Sequence, residues 1–407
     1  MKKALFLLFL LPLFAMAQDK GIHFEHGLSW KEIQAKAKAE NKYIFIDCFT
    51  TWCGPCKYMT ANIFPQQEVG DFFNSKFINV KLQMDVTEGD NEEVKKWYED
   101  AKAIGEQYSV RAYPTFLFFA PDGKVVHRMV GGGEAEAFIA RSKEALDPGK
   151  QYYVQLAKYE QGNKDEAFLR SFALTALNAY DAKTAQAVSK EYFDTQKDLF
   201  TKDNLDMLAK FTRTSKDKGF AIFLNESAKA NKVLGKGKSE AIVGGIVSNE
   251  EIYPKIFKKD AGAPDWAALQ SELAAKYPKL ADELVAKSKV IYYANKKDAE
   301  NSVSAIVAYM KKYSDKASPM DLNQFAWTIF ESCKDMKCVE EALEWSKRSF
   351  AENQDPNFMD TYANLLYKLG RKDEAIAWQE KAVNLAKDKK PLEETLNKMK
   401  KGEKTWN

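Results

Sequence analysis

The stretch Tyr43-Ile44-Phe45-Ile46-Asp47-Cys48-Phe49-Thr50-Thr51-Trp52-Cys53-Gly54-Pro55-Cys56-Lys57 decides the reading of this chain. Its first half is an apolar run of strand-forming residues, which predicts a buried β-strand over Tyr43 to Cys48. Its second half places two thiols where that strand gives way to a helix of about Cys53 to Ile63. Proline in the first helical turn costs no hydrogen bond, so Pro55 fits there. A cysteine at a helix start meets unpaired backbone N–H groups and the positive end of the helix dipole, both of which favour a thiolate. A thiol lowered from about 8.5 to about 7 goes from a few per cent to roughly half ionised at neutral pH. Cys53 is therefore the expected nucleophile. Cys56, one turn on, is the expected resolving thiol that closes an intramolecular disulfide.

Outward from this stretch, apolar and charged residues alternate at helical spacing from Trp30 to Glu40. Phe72-Phe73 predicts a short helix leading into a second strand at Phe77 to Leu82, and Glu92 to Tyr108 reads as a further helix. Thr115 to Phe119 is a strand-like run, and Pro121-Asp122-Gly123-Lys124 is a hairpin turn into Val125 to Val130. A helix over Glu134 to Leu146 follows, and Asp147-Pro148-Gly149 marks a boundary. Alternating helices and strands ending in a hairpin predict an α/β domain with a mixed central sheet flanked by helices, over 18–147. Beyond 150 the composition turns to Ala, Lys, Glu and Leu with aromatic anchors, which predicts an all-α domain over 150–407. Val303, Ile306, Val307 and Met310 show the stripe of an amphipathic helix.

Internal similarity marks this second half. Glu340-Glu341-Ala342-Leu343-Glu344-Trp345 recurs as Asp373-Glu374-Ala375-Ile376-Ala377-Trp378, and Gly370 to Ala375 echoes Gly162 to Ala167. The first spacing is close to the repeat length of tetratricopeptide arrays, which the region 322–387 resembles. Two readings follow: helical hairpins that only stabilise the chain, or stacked hairpins whose concave groove binds a partner.

The chain begins with Met1-Lys2-Lys3, an apolar stretch from Ala4 to Phe14, and Ala15-Met16-Ala17. A charged start, a short apolar run and a small-x-small site predict a signal peptide over 1–17, and hence an extracytoplasmic, periplasmic protein with no stable membrane insertion after cleavage. Loss of Lys2 and Lys3 leaves 59 basic residues of the original 61 against 58 acidic ones. That near-neutral balance gives no reason to expect nucleic acid or an anionic surface as partner.

The five cysteines are Cys48, Cys53, Cys56, Cys333 and Cys338. Cys48 lies inside the first strand and is expected to be buried and inert rather than a third redox thiol. Cys333 and Cys338 flank a turn between two helices and are expected to form a structural disulfide, with a second exchange-active pair as the alternative. Zinc would need further ligands that are not nearby. His23, His26 and His127 are too scattered for a metal cage or a catalytic triad and are expected at the surface or an edge. No metal and no cofactor are expected. Gly235-Lys236-Gly237-Lys238-Ser239 ends like a phosphate-binding loop but lacks the earlier glycine and a preceding strand. Gly131-Gly132-Gly133 reads as a close-approach loop near Pro114.

Residues 43–57, together with Val110-Arg111-Ala112-Tyr113-Pro114-Thr115, closely resemble the thioredoxin family over about 22–146. Two motifs in the correct order and separation are a far stronger signal than a lone C-x-x-C. The resemblance implies that Asp47 is the family's buried acid, able to take the proton from Cys56 during resolution, and that Lys81 is its partner on the adjacent strand. It implies that Pro114 is a cis-proline facing the cysteines, leaving the backbone of Tyr113 free to pair with an extended substrate. Trp52 is expected to border this docking surface, with Gly54 and Pro55 shaping the first helical turn. Two departures stand out: extra residues between about Glu88 and Asp100, and no helix-kinking proline shortly after Cys56.

The expected function is an extracytoplasmic thiol-disulfide oxidoreductase, a protein-disulfide reductase whose helical repeats hold a partner. Its partners would be disulfide-containing client proteins and a membrane thiol-disulfide electron donor. Disulfide isomerase or oxidase activity is one alternative. A non-catalytic interaction protein on a thioredoxin scaffold is the other.

Overall fold

The computed structural model describes residues 20–258 and 262–406; the expected signal peptide lies outside them. The chain divides into two compact units between Lys197 and Asp198.

In the first unit, β1 (Tyr43–Phe49) is flanked by β2 (Phe77–Gln83) and β3 (Thr115–Phe119), and β4 (Val125–Val130) completes the order β2-β1-β3-β4. β1 runs parallel to β2 and antiparallel to β3, and β3 pairs with β4 as a hairpin. The mixed α/β sheet expected from the sequence is thus present. Successive side chains of a strand point to opposite faces, and β1 uses this to sit between two cores. Ile44, Ile46 and Cys48 pack with Ile33, Ala37, Val80, Leu82 and Leu117 on one side. Phe45 packs on the other with Phe73, Phe77, Phe116, Phe118 and Phe138. Asp47 shares the strand face of Phe45.

The helices follow from local chemistry. Trp30–Glu40 (α1) starts on a capping box in which Ser29 and Glu32 satisfy each other's backbone N–H groups, and stops at Asn41 in the left-handed region, φ 51°. Gly54–Tyr58 (α2) takes Cys53 as its N-cap and passes into a π-helical turn over Met59–Ile63, closed by Phe64 N–H donating to the Met59 carbonyl at 2.9 Å. The helix therefore starts one residue later than its sequence suggests and loosens into a π turn where the family's proline is missing. Gln67–Lys76 (α3) leads into β2. The helix expected over Glu92 to Tyr108 is broken at Trp97 into Glu92–Lys96 (α4) and Tyr98–Gln107 (α5). Asp90 organises the segment before that break, accepting from Thr87, Tyr98 and Gln83. These hydrogen bonds, led by those from the Thr87 and Tyr98 hydroxyls, hold its carboxyl well below the usual carboxylate range. Ala135–Lys143 (α6) covers the aromatic core through Phe138.

The first unit continues past the Asp147-Pro148-Gly149 turn through Tyr152–Glu160 (α7), Glu166–Asn178 (α8) and Ala182–Thr195 (α9). The change in composition at 150 and the division into units at 197 do not coincide, because α7 seals the sheet edge. Tyr152 N–H donates to His127 Nδ1 at 3.1 Å, and Tyr152 Oη donates to Asp181 at 2.6 Å. His127 is on the edge strand but buried rather than exposed. Its burial, with Arg141 nearby, lowers its pKa to about 4 and keeps the ring a neutral acceptor.

In the second unit the described residues form helices and no strand, as the composition predicts. Pro319–Ser332 packs on Met336–Ser349, and Pro356–Lys368 on Lys372–Leu385. Ala342 and Ala375, equivalent across the internal similarity, are both fully buried. The bond expected between Cys333 and Cys338 is not formed here: both are free, buried thiols. Cys333 ends one helix with its Sγ donating to the Asp335 carbonyl at 3.7 Å. Cys338 lies in the first turn of the next helix, its thiol pushed up to about 12 by burial and by a hydrogen bond with Cys333.

Candidate active site

Cys53 and Cys56 form a disulfide at the start of α2. Cys56 N–H donates to Cys53 Sγ at 3.1 Å, and Lys57 N–H donates to the Cys53 carbonyl at 3.1 Å. When the pair is reduced, the same N–H group offers a hydrogen bond to a Cys53 thiolate. Both cysteines are largely buried, whereas Trp52 beside them is 69% exposed. Trp52 meets Tyr113 edge-to-face with ring centroids 5.8 Å apart, and the Tyr113–Pro114 peptide bond is cis. The fold thus brings Trp52, which leads into Cys53, Gly54, Pro55 and Cys56 after β1, against Tyr113, which with Pro114 precedes β3.

The approach to the cysteines is held by a residue the sequence reading passed over. Asp85 accepts from Thr51 N–H at 3.0 Å and from Thr51 Oγ1 at 2.5 Å, which ties the turn before Trp52 to the end of β2. The glycine loop after β4 closes the other side. Gly131 N–H donates to the Pro114 carbonyl at 2.9 Å, and a Cβ on Gly132 would lie 2.7 Å from Met59 Sδ. Close approach is therefore the reason for glycine at 132. Tyr58, half-exposed on α2, donates to Glu134 at 2.8 Å across the same loop.

Beneath α2 the parallel register pairs Asp47 of β1 with Lys81 of β2. Asp47 is 1% exposed, its Oδ1 has no hydrogen-bond partner, and its Oδ2 lies 4.0 Å from Lys81 Nζ. Burial raises the Asp47 pKa to about 7, with the Lys81 charge pulling it back. Burial in turn lowers the Lys81 pKa, opposed by Asp47. Lys81 Nζ donates to Thr60 Oγ1 at 2.8 Å and lies 4.7 Å from the centre of the Phe49 ring. A carboxyl that titrates near neutrality can both hold and release a proton at working pH, which is what a proton acceptor for a thiol requires. Cys48, on the opposite strand face, is buried, and burial together with the Asp47 charge pushes its thiol far above the ordinary range. Cys333 and Cys338 lie in the other unit and are no part of this arrangement.

Sequence reasoning missed Asp85, Thr60 and the detailed role of Gly132. The triple glycine did signal close approach. Thr60 carried a fainter signal, four residues after Cys56 and so on the same helix face.

Residues 30–146 match the family model described as a thioredoxin-like domain. The chain is 32% identical over 122 residues to a thioredoxin H-type of Fagopyrum esculentum, covering 30% of this chain and 89% of that one. It is 30% identical over 122 residues to the chloroplastic thioredoxin Y of Oryza sativa subsp. japonica, covering 30% of this chain but only 60% of the rice protein. A solution structure from Bacteroides thetaiotaomicron, described as a candidate disulphide-isomerase, is 38% identical and covers 32% of this chain and 98% of that one, with a TM-score of 0.27. By its sequence over residues 30–146 and the disulfide-bearing helix start that those residues build, this chain belongs to the thioredoxin family.

Proposed function

We propose that the chain is an extracytoplasmic thiol-disulfide oxidoreductase that reduces protein disulfides through Cys53 and Cys56, while its helical repeats hold a partner. The observation that carries this reading is a disulfide-bonded cysteine pair at a helix N-terminus, with a buried carboxyl of pKa near 7 on the strand that leads to it.

In the reduced protein the Cys53 thiolate attacks one sulfur of a client disulfide. A Cys53–client bond forms, the client S–S bond breaks, and the other client sulfur leaves as a thiolate. Cys56 then gives its proton to Asp47 and attacks Cys53 Sγ. The Cys53–Cys56 bond forms, the mixed disulfide breaks, and the second client thiolate leaves. Two electrons pass from this protein to the client, and Asp47 later returns its proton to solvent. The oxidised pair is reset by a dithiol donor, which in an oxidising compartment means a membrane-bound thiol-disulfide protein. Trp52 and Tyr113 border the cysteines and would line the client segment, beside the Tyr113–Pro114 backbone.

The internal similarity at Ala342/Ala375 and Trp345/Trp378 supports tetratricopeptide-like hairpins with a partner-binding role. The two domains of this reading are 18–147 for exchange and 150–407 for the repeats. No helix among the described residues is long and apolar enough to cross a membrane. The direction of transfer is tested by equilibrating the Cys53/Cys56 pair against glutathione buffers. The reductase reading expects a potential near that of thioredoxin, about −270 mV, and a value near −120 mV would make the protein an oxidant instead.

A further inference from the structure

The polar surroundings of Lys81 are unequal in a way that the exchange reading does not use. Its aliphatic stem rises from β2 among aromatic rings, and its ammonium lies 4.7 Å from the ring centre of Phe49, 5.6 Å from that of Phe24 and 5.8 Å from that of Phe64. Such faces attract a cation but accept no conventional hydrogen bond. Two oxygens are also close: Thr60 Oγ1 at 2.8 Å and Asp47 Oδ2 at 4.0 Å. A charge-assisted N–H···O bond is made at about 2.7–2.9 Å, so Lys81 bonds to the hydroxyl and only faces the carboxylate. Asp47 is left buried with Oδ1 unpartnered. Thr60 is the second residue of the π turn Met59–Ile63, a local geometry that recurs at functional sites.

We propose that Thr60 is a positioning residue of this site: its hydroxyl, set by the π turn after α2, holds the Lys81 ammonium off Asp47 and so keeps the buried carboxyl free to accept the Cys56 proton. The proposal rests on the exchange reading for the proton's destination, but its geometric half stands by itself. Losing the hydroxyl leaves the ammonium among aromatic faces, with the Asp47 carboxylate 4.0 Å away. Closing from 4.0 Å to direct contact strengthens an attraction that already opposes the effect of burial, and so lowers the carboxyl pKa further. The raised value of Asp47 would then fall, and with it the strength of the base. The other groups around Asp47 do not substitute for this control. β3 presents Phe116 in register with it, and Cys48 next to it is kept protonated by burial.

The test uses the full chain and its variants Thr60→Val, Thr60→Ser and Asp47→Asn. With 13C-labelled aspartate, Asp47→Asn identifies the Asp47 carboxyl signal, whose titration is then followed in reduced and oxidised protein. The expected result is a midpoint shifted to lower pH in Thr60→Val, and a midpoint at the wild-type position in Thr60→Ser. In parallel, the acid limb of the pH profile for mixed-disulfide resolution should move to lower pH in Thr60→Val and stay in place in Thr60→Ser. An Asp47 midpoint in Thr60→Val equal to or above the wild-type one overturns the proposal. Because the titration is read without turnover, a wild-type protein that reduces no disulfide would sink the exchange reading and leave the Thr60–Lys81 geometry to be judged by its own midpoint.

Discussion

Asp47 carries a carboxyl into the aromatic face of the sheet, and the cost of ionising it there sets two pH dependences. Its folded-state pKa, near 7, lies above the ordinary value of 3.8, so between these two the native state holds a proton that the unfolded state has lost. Stability from this group is fully present below about pH 4, declines as pH rises, and is gone above about pH 7. Asp47→Asn removes the penalty, and it should stabilise the protein at pH 8 by up to about 4 kcal/mol while changing little below pH 4. Chemical denaturation at the two pH values checks this. The same group gates exchange. Resolution of a Cys53 mixed disulfide should fall about tenfold per pH unit below pH 7 as Asp47 protonates, and Asp47→Asn should lose that limb and resolve about 10²-fold more slowly at pH 8. Among the five cysteines it is position, not exposure, that sets Cys53 apart: it caps α2 and accepts the Cys56 N–H, whereas Cys48, Cys333 and Cys338 are buried free thiols and burial raises those of Cys48 and Cys338. After reduction, alkylation at pH 7 in native protein should label Cys53 first and leave Cys48, Cys333 and Cys338 unmodified until the chain is denatured, as peptide mapping would show.

At the level of elements, α2 passes into a π turn over Met59–Ile63, and the glycine loop after β4 lies close against it. Met59 is pinned under Gly132, so Gly132→Ala must displace either the Met59 side chain or the loop. A loss of about 1–3 kcal/mol in unfolding free energy is expected, together with weaker reduction of client disulfides. The elements themselves were largely legible. The Tyr43 strand, the Trp30 helix, the hairpin at Asp122-Gly123 and the four-strand mixed sheet follow from periodicity and turn chemistry, which are properties of neighbouring residues. The break at Trp97, the π turn at Met59 and the sealing of β4 by α7 were not: the first two accompany particular hydrogen bonds, those of Asp90 with Thr87, Gln83 and Tyr98 and of Phe64 N–H with Met59, that periodicity does not reveal, and the third joins His127 to Tyr152 across 25 residues. The same division holds in the site. Cys53 and Cys56 announce themselves by spacing, and Asp47, Lys81, Tyr113 and Pro114 by family resemblance. Asp85 is recognised only once Thr51 is seen to reach across to it, and Thr60 only once the side chain of Lys81 is traced.

For the whole molecule, the unit carrying the dithiol runs to Lys197 and takes three helices beyond the sheet domain. The second unit is helical throughout its described residues, with Ala342 and Ala375 as matched packing positions. A cysteine pair on one unit and helices without strands among the described residues of the other are what the proposed division of labour requires, with exchange on the first and partner binding on the second. The account stands on attack by Cys53 and release by Cys56, and these steps are separable by one substitution. Cys56→Ser in the full chain should accumulate clients joined covalently through Cys53, released by dithiothreitol and absent from the Cys53→Ser/Cys56→Ser double variant. Equal recovery of the same clients with the double variant would mean that they are held without exchange, and would contradict the account.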